Sequence, residues 1–473
     1  MKEANGIDIV LVYAPSRHRV AWLFSLPCLG GYLKRKGYSV RVIDAPFLNM
    51  GVTETIQEIK RLDPMVIGVS IPLTDLVHEA REFLKIVRKA FPKKVLLCGG
   101  IHPTLVPEDV VLHCDAVVVG EGELTTEEVL QRLRQGKDFH DVPGLCCVGN
   151  SGTLTFTEPR QLAANLDDLG APDWSLIPFR NWDRRTFLAV EGRFTLPMYT
   201  SRGCPFNCAF CASPRLSGRR VRFRSVELVV DEMEKIVKDY GVRRFFFEDE
   251  VFTLKPERVE RFCDELDRRR LRVVWSCQSR ADCITEDSIA RLRRSGCIAM
   301  GFGLESADPE IQRIMRKELD LSKVREAVRL CRKHRMLVTL TLLLGVPGET
   351  VGSIRTTIKF LEECDPDWSF CFCFVPYPGT ELFDTALAQG GLRYIHWSLT
   401  QSRAAQWDPP YQPPTLKNIP LPLISDVVAY RLLMRTPCRL ARLARRAGLR
   451  ATAYMFMRSL YSILRLRRRG VRL

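Results

Sequence analysis

Between residues 7 and 133, short and almost uninterrupted apolar runs alternate with stretches in which apolar positions recur every three or four residues. The runs are IDIVLVYAP, YSVRVIDAP, MVIGVSIP, KVLLCGG and AVVVGEGE. The amphipathic stretches are SLPCLGGYLKRKG, one ending at Leu62, one from about Asp75 to Phe91 and one from about Thr125. Strands this uniformly apolar are covered on both faces, which predicts a doubly wound, Rossmann-like α/β domain over 1–135. A second alternation predicts strands at Phe194–Thr200, Arg243–Phe247, Arg272–Cys277, Ala299–Leu304, Val338–Leu344 and Ser369–Val375, six βα units within 196–385. Between them, 136–195 loses its periodicity, gathers Pro and Gly, and reads as a connector. It carries one hairpin, turning at Asn150-Ser151-Gly152. Residues 386–426 are rich in Pro and Trp, and from Val427 to the end apolar positions at helical spacing are interleaved with arginines.

A chain of 473 residues, 46% hydrophobic and 27% charged, supports two or three domains with sizeable cores. No leader is visible and no apolar run is long enough to span a bilayer, so the sequence reads as cytoplasmic. The 17 cysteines are scattered through a large chain and read as mostly reduced and buried; the adjacent Cys146 and Cys147 point to opposite faces of a strand and suit packing. The formal charge is +16, yet 427–473 hold 13 Arg and no Lys, Asp or Glu, so residues 1–426 carry only +3. The basic tail is either a helix pair packing an apolar stripe or a contact for an anionic membrane surface.

The most specific chemistry lies in YTSRGCPFNCAFCASP, where Cys204, Cys208 and Cys211 are spaced Cys-x3-Cys-x2-Cys. Thiolates suit zinc or iron–sulfur clusters, but no His occurs between His140 and His334 and the next Cys is Cys263, so a tetrahedral zinc lacks its fourth ligand nearby. A zinc knuckle or three packed cysteines are the alternatives. With Phe210 just before the last cysteine, this loop resembles that of the radical S-adenosylmethionine (radical SAM) superfamily. The resemblance implies a [4Fe–4S] cluster with one iron open to SAM, and a partial (β/α)6 barrel over 196–385.

It also implies SAM contacts at the strand ends. Glu248, Asp249 or Glu250, with Glu250 the first choice, would receive the methionyl ammonium where the family has Gly-Gly-Glu, a motif whose glycines this chain lacks. Arg280 would pair with the SAM carboxylate. Glu305 or Ser306 would hydrogen-bond SAM, Gly301 and Gly303 would permit close packing, and Gly345 and Pro347 would shape the adenosyl pocket.

In doubly wound sheets, ligands bind outside the carboxyl ends of the strands. Those ends place Pro15, Ser70, Leu73 and Thr74, then Gly99, Gly100, His102 and Pro103, and then Gly120, Glu121, Gly122 and Glu123. The segments GGIHPTLVPED and VVVGEGE, upstream of such a core, resemble the cobalamin-binding domain of the B12-dependent radical SAM branch. None of the seven His lies in the Asp-x-His-x-x-Gly motif that ligates cobalt in many B12 proteins. The branch includes members that bind cobalamin without a protein imidazole, so the resemblance implies binding without a histidine ligand here.

Together these imply a cobalamin-dependent radical SAM enzyme: a 5′-deoxyadenosyl radical abstracts hydrogen from an unactivated carbon, and methylcobalamin supplies a methyl group. A radical cyclisation, oxidation or rearrangement is the runner-up, by resemblance to the anaerobic magnesium-protoporphyrin ester cyclases. The implied partners are a small or lipid-like substrate, an electron donor such as flavodoxin or ferredoxin, and an anionic inner-membrane surface for the tail. Nucleic acid is disfavoured, because the three early cluster cysteines and the C-terminal β-barrel of the tRNA methylthiotransferases are both missing.

Overall fold

Every residue of the strand Ile9–Tyr13 is buried, as is every residue of Val66–Ser70 beside it. That pattern requires cover on both faces and explains why these runs show no polar alternation. The computed structural model describes residues 6–16, 25–72, 76–149, 152–177, 195–390, 392, 411–416, 421 and 424. These fall into two units, 6–177 with 215–224, and 195–214 with 225–392 and 411–424.

The first unit has seven strands: β1 (Ile9–Tyr13), β2 (Val40–Asp44), β3 (Val66–Ser70), β4 (Val95–Gly99), β5 (Ala116–Val118), β6 (Leu145–Val148) and β7 (Leu154–Phe156). Their order is β2-β1-β3-β4-β5-β6-β7. The first five are parallel, and β6 and β7 add an antiparallel hairpin at the β5 edge. The segment expected to be a connector therefore completes the first sheet, and Phe139, Val142, Leu145, Cys147, Leu166 and Leu169 join its core. Cys146 and Cys147 are both buried in β6, in packing positions as expected.

Helices Ser25–Arg35, Val52–Leu62, Val77–Ala90 and Gly122–Arg134 match the amphipathic stretches. The last begins three residues before the expected Thr125, because Glu121 takes the cap position. Successive strands are added first on one side of β1 and then on the other, so the strand order reverses between β1 and β3 and their carboxyl ends flank a crevice.

The second unit is a parallel sheet of six strands in sequential order: β8 (Leu196–Met198), β9 (Arg244–Phe247), β10 (Val274–Ser279), β11 (Cys297–Glu305), β12 (Leu337–Leu344) and β13 (Trp368–Cys373). Sequential parallel pairing with a helix after each strand is the arrangement of a (β/α)6 partial barrel. One face of the strands is buried throughout. Phe247 and Trp275 pack there with Phe252 and Phe262, and the Trp275 ring centroid lies 5.5 Å from that of Phe247 and 5.4 Å from that of Phe262. The alternate residues are less covered and define the opposite face. Thr285 with Ser288, and Thr350 with Ser353, form reciprocal capping boxes that start the helices after β10 and β12 at fixed points. The Arg-rich tail, His18, Leu73 and Thr74 lie outside the described residues.

Candidate active site

In the second unit, the cluster loop leaves β8 through Thr200 and Ser201, and Asp249 after β9 holds both. Its carboxylate accepts from the Thr200 N–H at 3.0 Å, from the Thr200 hydroxyl at 2.7 Å and from the Ser201 hydroxyl. Asp249 is buried, and this role consumes its acceptors. Of the three consecutive acids, it is the one that fixes the loop. Glu250 opens toward solvent, accepts from Ser213 Oγ at 3.0 Å, and lies close enough to Cys204 to raise that thiol. Burial pushes the Glu248 carboxyl up to about 8, with the Asp249 charge adding to it, and its Oε1 has no hydrogen-bond partner.

Cys204, Cys208 and Cys211 are half-buried and reduced. Burial raises all three thiols, Cys211 to about 11, while the charges of Arg280 and Lys317 pull Cys208 back. The thiols interact electrostatically with one another, yet among the described residues no three His, Cys, Asp or Glu side chains close on a single ion. A donor set of three thiols flanked by two cations suits an anionic iron–sulfur cluster. Backbone bonds pin the loop at Ala209, whose N–H donates to the Met315 carbonyl at 2.8 Å and whose carbonyl accepts from the Leu382 N–H at 3.0 Å. Phe210 packs beside the same small apolar core.

Arg280, expected to meet the SAM carboxylate, is bound within the protein. Its guanidinium makes a bidentate pair with Asp282 at 3.0 and 2.8 Å, donates twice to the Lys317 carbonyl at 3.2 Å, and lies 3.8 Å from the Phe206 ring centroid. It therefore braces the cysteine loop through Phe206. The Ser306 hydroxyl is 3.1 Å from that of Thr357 and accepts from the Asp308 N–H, so it too serves the scaffold. Glu305 has a positive φ of 63° and pairs with Lys317 Nζ at 3.1 Å. Gly303 makes room for that pair: a Cβ there would lie 2.6 Å from Glu305 Oε1 and 2.7 Å from Lys317 Nζ.

Lys317 was not singled out in the sequence. It sits in the basic run RIMRKE, and only its 8% side-chain exposure and its position 5.8 Å from the Phe210 ring distinguish it from its neighbours. Gly345 has a positive φ of 84°, and its Cβ position is blocked by Leu421. Its N–H donates to Glu349, which is 1% exposed and raised by burial to about 8. Pro347 is buried in the same turn.

In the first unit, the candidate residues line the carboxyl edge of the parallel strands. A small cleft at the reversal point is lined by Tyr13, Ala14, Ser16, Ser70, Pro72 and Leu76, with Pro15 in the same loop. The glycines divide by cause. At Gly100, φ is 114° and a Cβ would meet the Ile71 carbonyl oxygen at 2.5 Å, so this glycine serves packing within the protein. Gly120, at φ 87°, faces open space, while Gly99 and Gly122 have ordinary contacts. The Gly120 N–H donates to Thr104 Oγ1 at 3.0 Å.

His102 is 0% exposed and its Nε2 lies 3.2 Å from Asp109, so it packs the loop and presents no ring nitrogen at the strand edge; Pro103 is buried beside it. Glu121 is held in an ion pair by Arg222 and Glu123 is buried. The edge around Gly120 is open, and among the described residues of this loop no imidazole is presented there.

Residues 198–361 match the family model of the radical SAM superfamily and residues 16–130 that of the B12 binding domain. An uncharacterized methyltransferase, PH0819, of Pyrococcus horikoshii is 31% identical over 400 residues, covering 83% of this chain and 85% of its own. The anaerobic magnesium-protoporphyrin IX monomethyl ester cyclase of Rubrivivax gelatinosus is 28% identical over 364 residues, 75% of this chain and 64% of its own, so this chain spans less than two thirds of that relative. The structure of the radical SAM methyltransferase TsrM of Kitasatospora setae, with cobalamin and a [4Fe–4S] cluster bound, has the same fold: TM-score 0.71 at 20% identity, over 92% of this chain and 90% of that one.

Proposed function

The chain belongs to the radical SAM enzymes that carry a B12-binding domain, and from that premise we propose that it is a cobalamin-dependent methyltransferase acting on an unactivated carbon of a small molecule. When bound, the [4Fe–4S] cluster and SAM supply the radical that activates the carbon, and cobalamin supplies the methyl group. The chain's own part is to hold and orient these groups. Cys204, Cys208 and Cys211 ligate the cluster. Glu250 takes the methionyl ammonium, since the acceptors of Asp249 are committed to Thr200 and Ser201. Lys317 and Glu305 border the methionyl end beside Phe210, and the turn Gly345–Glu349 shapes the adenosyl side. Residues around Ser70, Gly99, Gly120 and Gly122 receive cobalamin.

The observation that carries the reading is the seating of the three-cysteine loop at the carboxyl end of a six-stranded parallel sheet, between two buried cations, in a chain whose first sheet matches a B12 binding domain. Protein purified without oxygen and reconstituted should contain iron, sulfide and cobalamin without a histidine ligand, and should form 5′-deoxyadenosine from SAM on reduction. Stoichiometric zinc without iron or sulfide would defeat the proposal.

Radical cyclisation is the second reading, favoured by the likeness to the cyclase. A product heavier by one methylene supports methylation, and one lighter by hydrogen supports cyclisation. The same proposal includes a cytoplasmic location, a flavodoxin or ferredoxin as electron donor, and reversible contact of the tail with anionic lipid. Among the described residues no helix is long and apolar enough to cross a membrane.

A further inference from the structure

The last strand of the second sheet breaks the usual rule for a strand at the edge of a parallel sheet. In β13, Ser369, Cys371 and Cys373 are buried, whereas Trp368, Phe370 and Phe372 stand on the opposite face, Phe370 at 42% and Phe372 at 45% exposure. The three rings form a ladder along the strand, with centroids 6.4 Å apart for Trp368–Phe370 and 6.2 Å for Phe370–Phe372; the last two are within 28° of parallel. Leaving two Phe on one strand nearly half-exposed forgoes part of their burial, a cost that a ligand surface would offset.

Register fixes which face this is. Phe370 is opposite Thr341, and Thr341 is opposite Gly303, so the three share one side of the sheet. That is the side on which Gly303 makes room for Glu305 and Lys317 beside Phe210. Strands lie about 4.8 Å apart, so two strand steps put the ladder roughly 10 Å from the Glu305–Lys317 pair. One row over, Trp368 aligns with Thr339 and Gly301. The floor between ladder and pair is thus made of two glycines and two threonines. Across β11, β12 and β13, the only charged side chain presented on this face is Glu305, and Lys317 neutralises it.

We propose that this face is the substrate site and that its occupant is a flat, uncharged aromatic ring system lying over the glycine floor against Trp368, Phe370 and Phe372; this rests on the methyltransferase reading. Among the described residues of these three strands no unpaired charge faces the ladder, so they offer nothing to recognise a phosphate or carboxylate. A rigid ladder favours a rigid plane, which gains ring–ring contacts as well as buried area; a flexible chain gains the area alone and loses rotamer freedom.

The test reads binding apart from turnover, using the reconstituted full-length protein and two neutral probes, pyrenemethanol and decanol. Pyrenemethanol should bind. Phe370→Ala/Phe372→Ala should weaken it at least ten-fold, and Phe370→Leu, which keeps apolar bulk but removes the ring, should weaken it several-fold, with iron and cobalamin content unchanged in both. Pyrenemethanol affinity that is unaffected by the double substitution, or retained in full by Phe370→Leu, overturns the proposal. So does decanol binding as tightly as pyrenemethanol. Loss of the methyltransferase reading would appear separately, as absent cobalamin or absent SAM cleavage.

Discussion

The two sheets are built from the same alternation of strand and helix, yet they prepare their ligand edges by different means. At the central sheet, strand-end side chains bind one another: Asp249 to Thr200 and Ser201, Arg280 to Asp282, Glu305 to Lys317. At the first sheet, backbone shape dominates, with Gly100 seated on the Ile71 carbonyl and Gly120 facing open space. Charged side-chain networks suit a small zwitterion and an anionic cluster. A broad, mostly neutral macrocycle is better met by a contour than by charges. Order within the sheet differs to match: a sequential sheet brings every strand end to one mouth, whereas a sheet with a reversal opens a crevice at a single point.

That contrast can be broken most sharply at the cysteines. Replacing Cys204, Cys208 or Cys211 by Ala is expected to abolish both iron loading and SAM cleavage while cobalamin uptake persists; Cys146→Ala and Cys147→Ala should leave the cluster intact. Iron and sulfide assays with cobalamin absorbance separate the outcomes, and a variant of the first group with full iron would count against the assignment.

Next in size is Gly100→Ala. Its Cβ would fall on backbone, and its φ is one that L residues avoid, so the first unit should lose about 3 kcal/mol. Thermal denaturation should show the loss, with cobalamin uptake falling and iron retained. Equal loss of both would erase the distinction between the sheets.

Gly303→Ala works in the opposite direction. It should part Glu305 from Lys317 and weaken SAM binding roughly ten-fold, without changing iron or cobalamin content. Calorimetric titration with SAM would check it, and unchanged affinity would remove the pair from the site.

A separate effect, read in stability and not in ligand loading, concerns Glu349. Its carboxyl is raised from an ordinary 4.5 to about 8 by burial, so between those values the unfolded chain has lost a proton that the folded chain retains. Stability should therefore fall as pH rises through that window, by an amount on the order of a few kcal/mol. Glu349→Gln keeps an acceptor for the Gly345 N–H and should flatten the slope. A slope identical to that of the parent would assign the pH dependence elsewhere, with Glu248 the next residue to replace.

The strands were legible because nearly every position is apolar or small even where only alternate residues are fully buried: Ala299–Leu304 was expected and Cys297–Glu305 is found, Val338–Leu344 expected and Leu337–Leu344 found. The cysteine loop was legible because its spacing is local. Arg280, Ser306 and Lys317 were not legible in the same way, since a side chain's role is set by which distant group it meets. Nothing near Arg280 in sequence announces Phe206, and nothing near Lys317 announces Phe210. His102 was placed at the right strand end, but only its burial against Asp109 shows that it faces inward.

The hairpin at the β5 edge bears on how the first domain can be cut away from the rest. A fragment ending at 135 would lack β6 and leave Val117 and Val118 with bare backbone donors and acceptors, a template on which copies could add strands to one another and precipitate. Extending the fragment to 177 restores the partner strand, together with Leu145, Leu166 and Leu169 in the core. The antiparallel pair thus acts as a selvedge: it moves the sheet's edge from β5 out to a strand of three residues, short enough to offer a copy little to pair with.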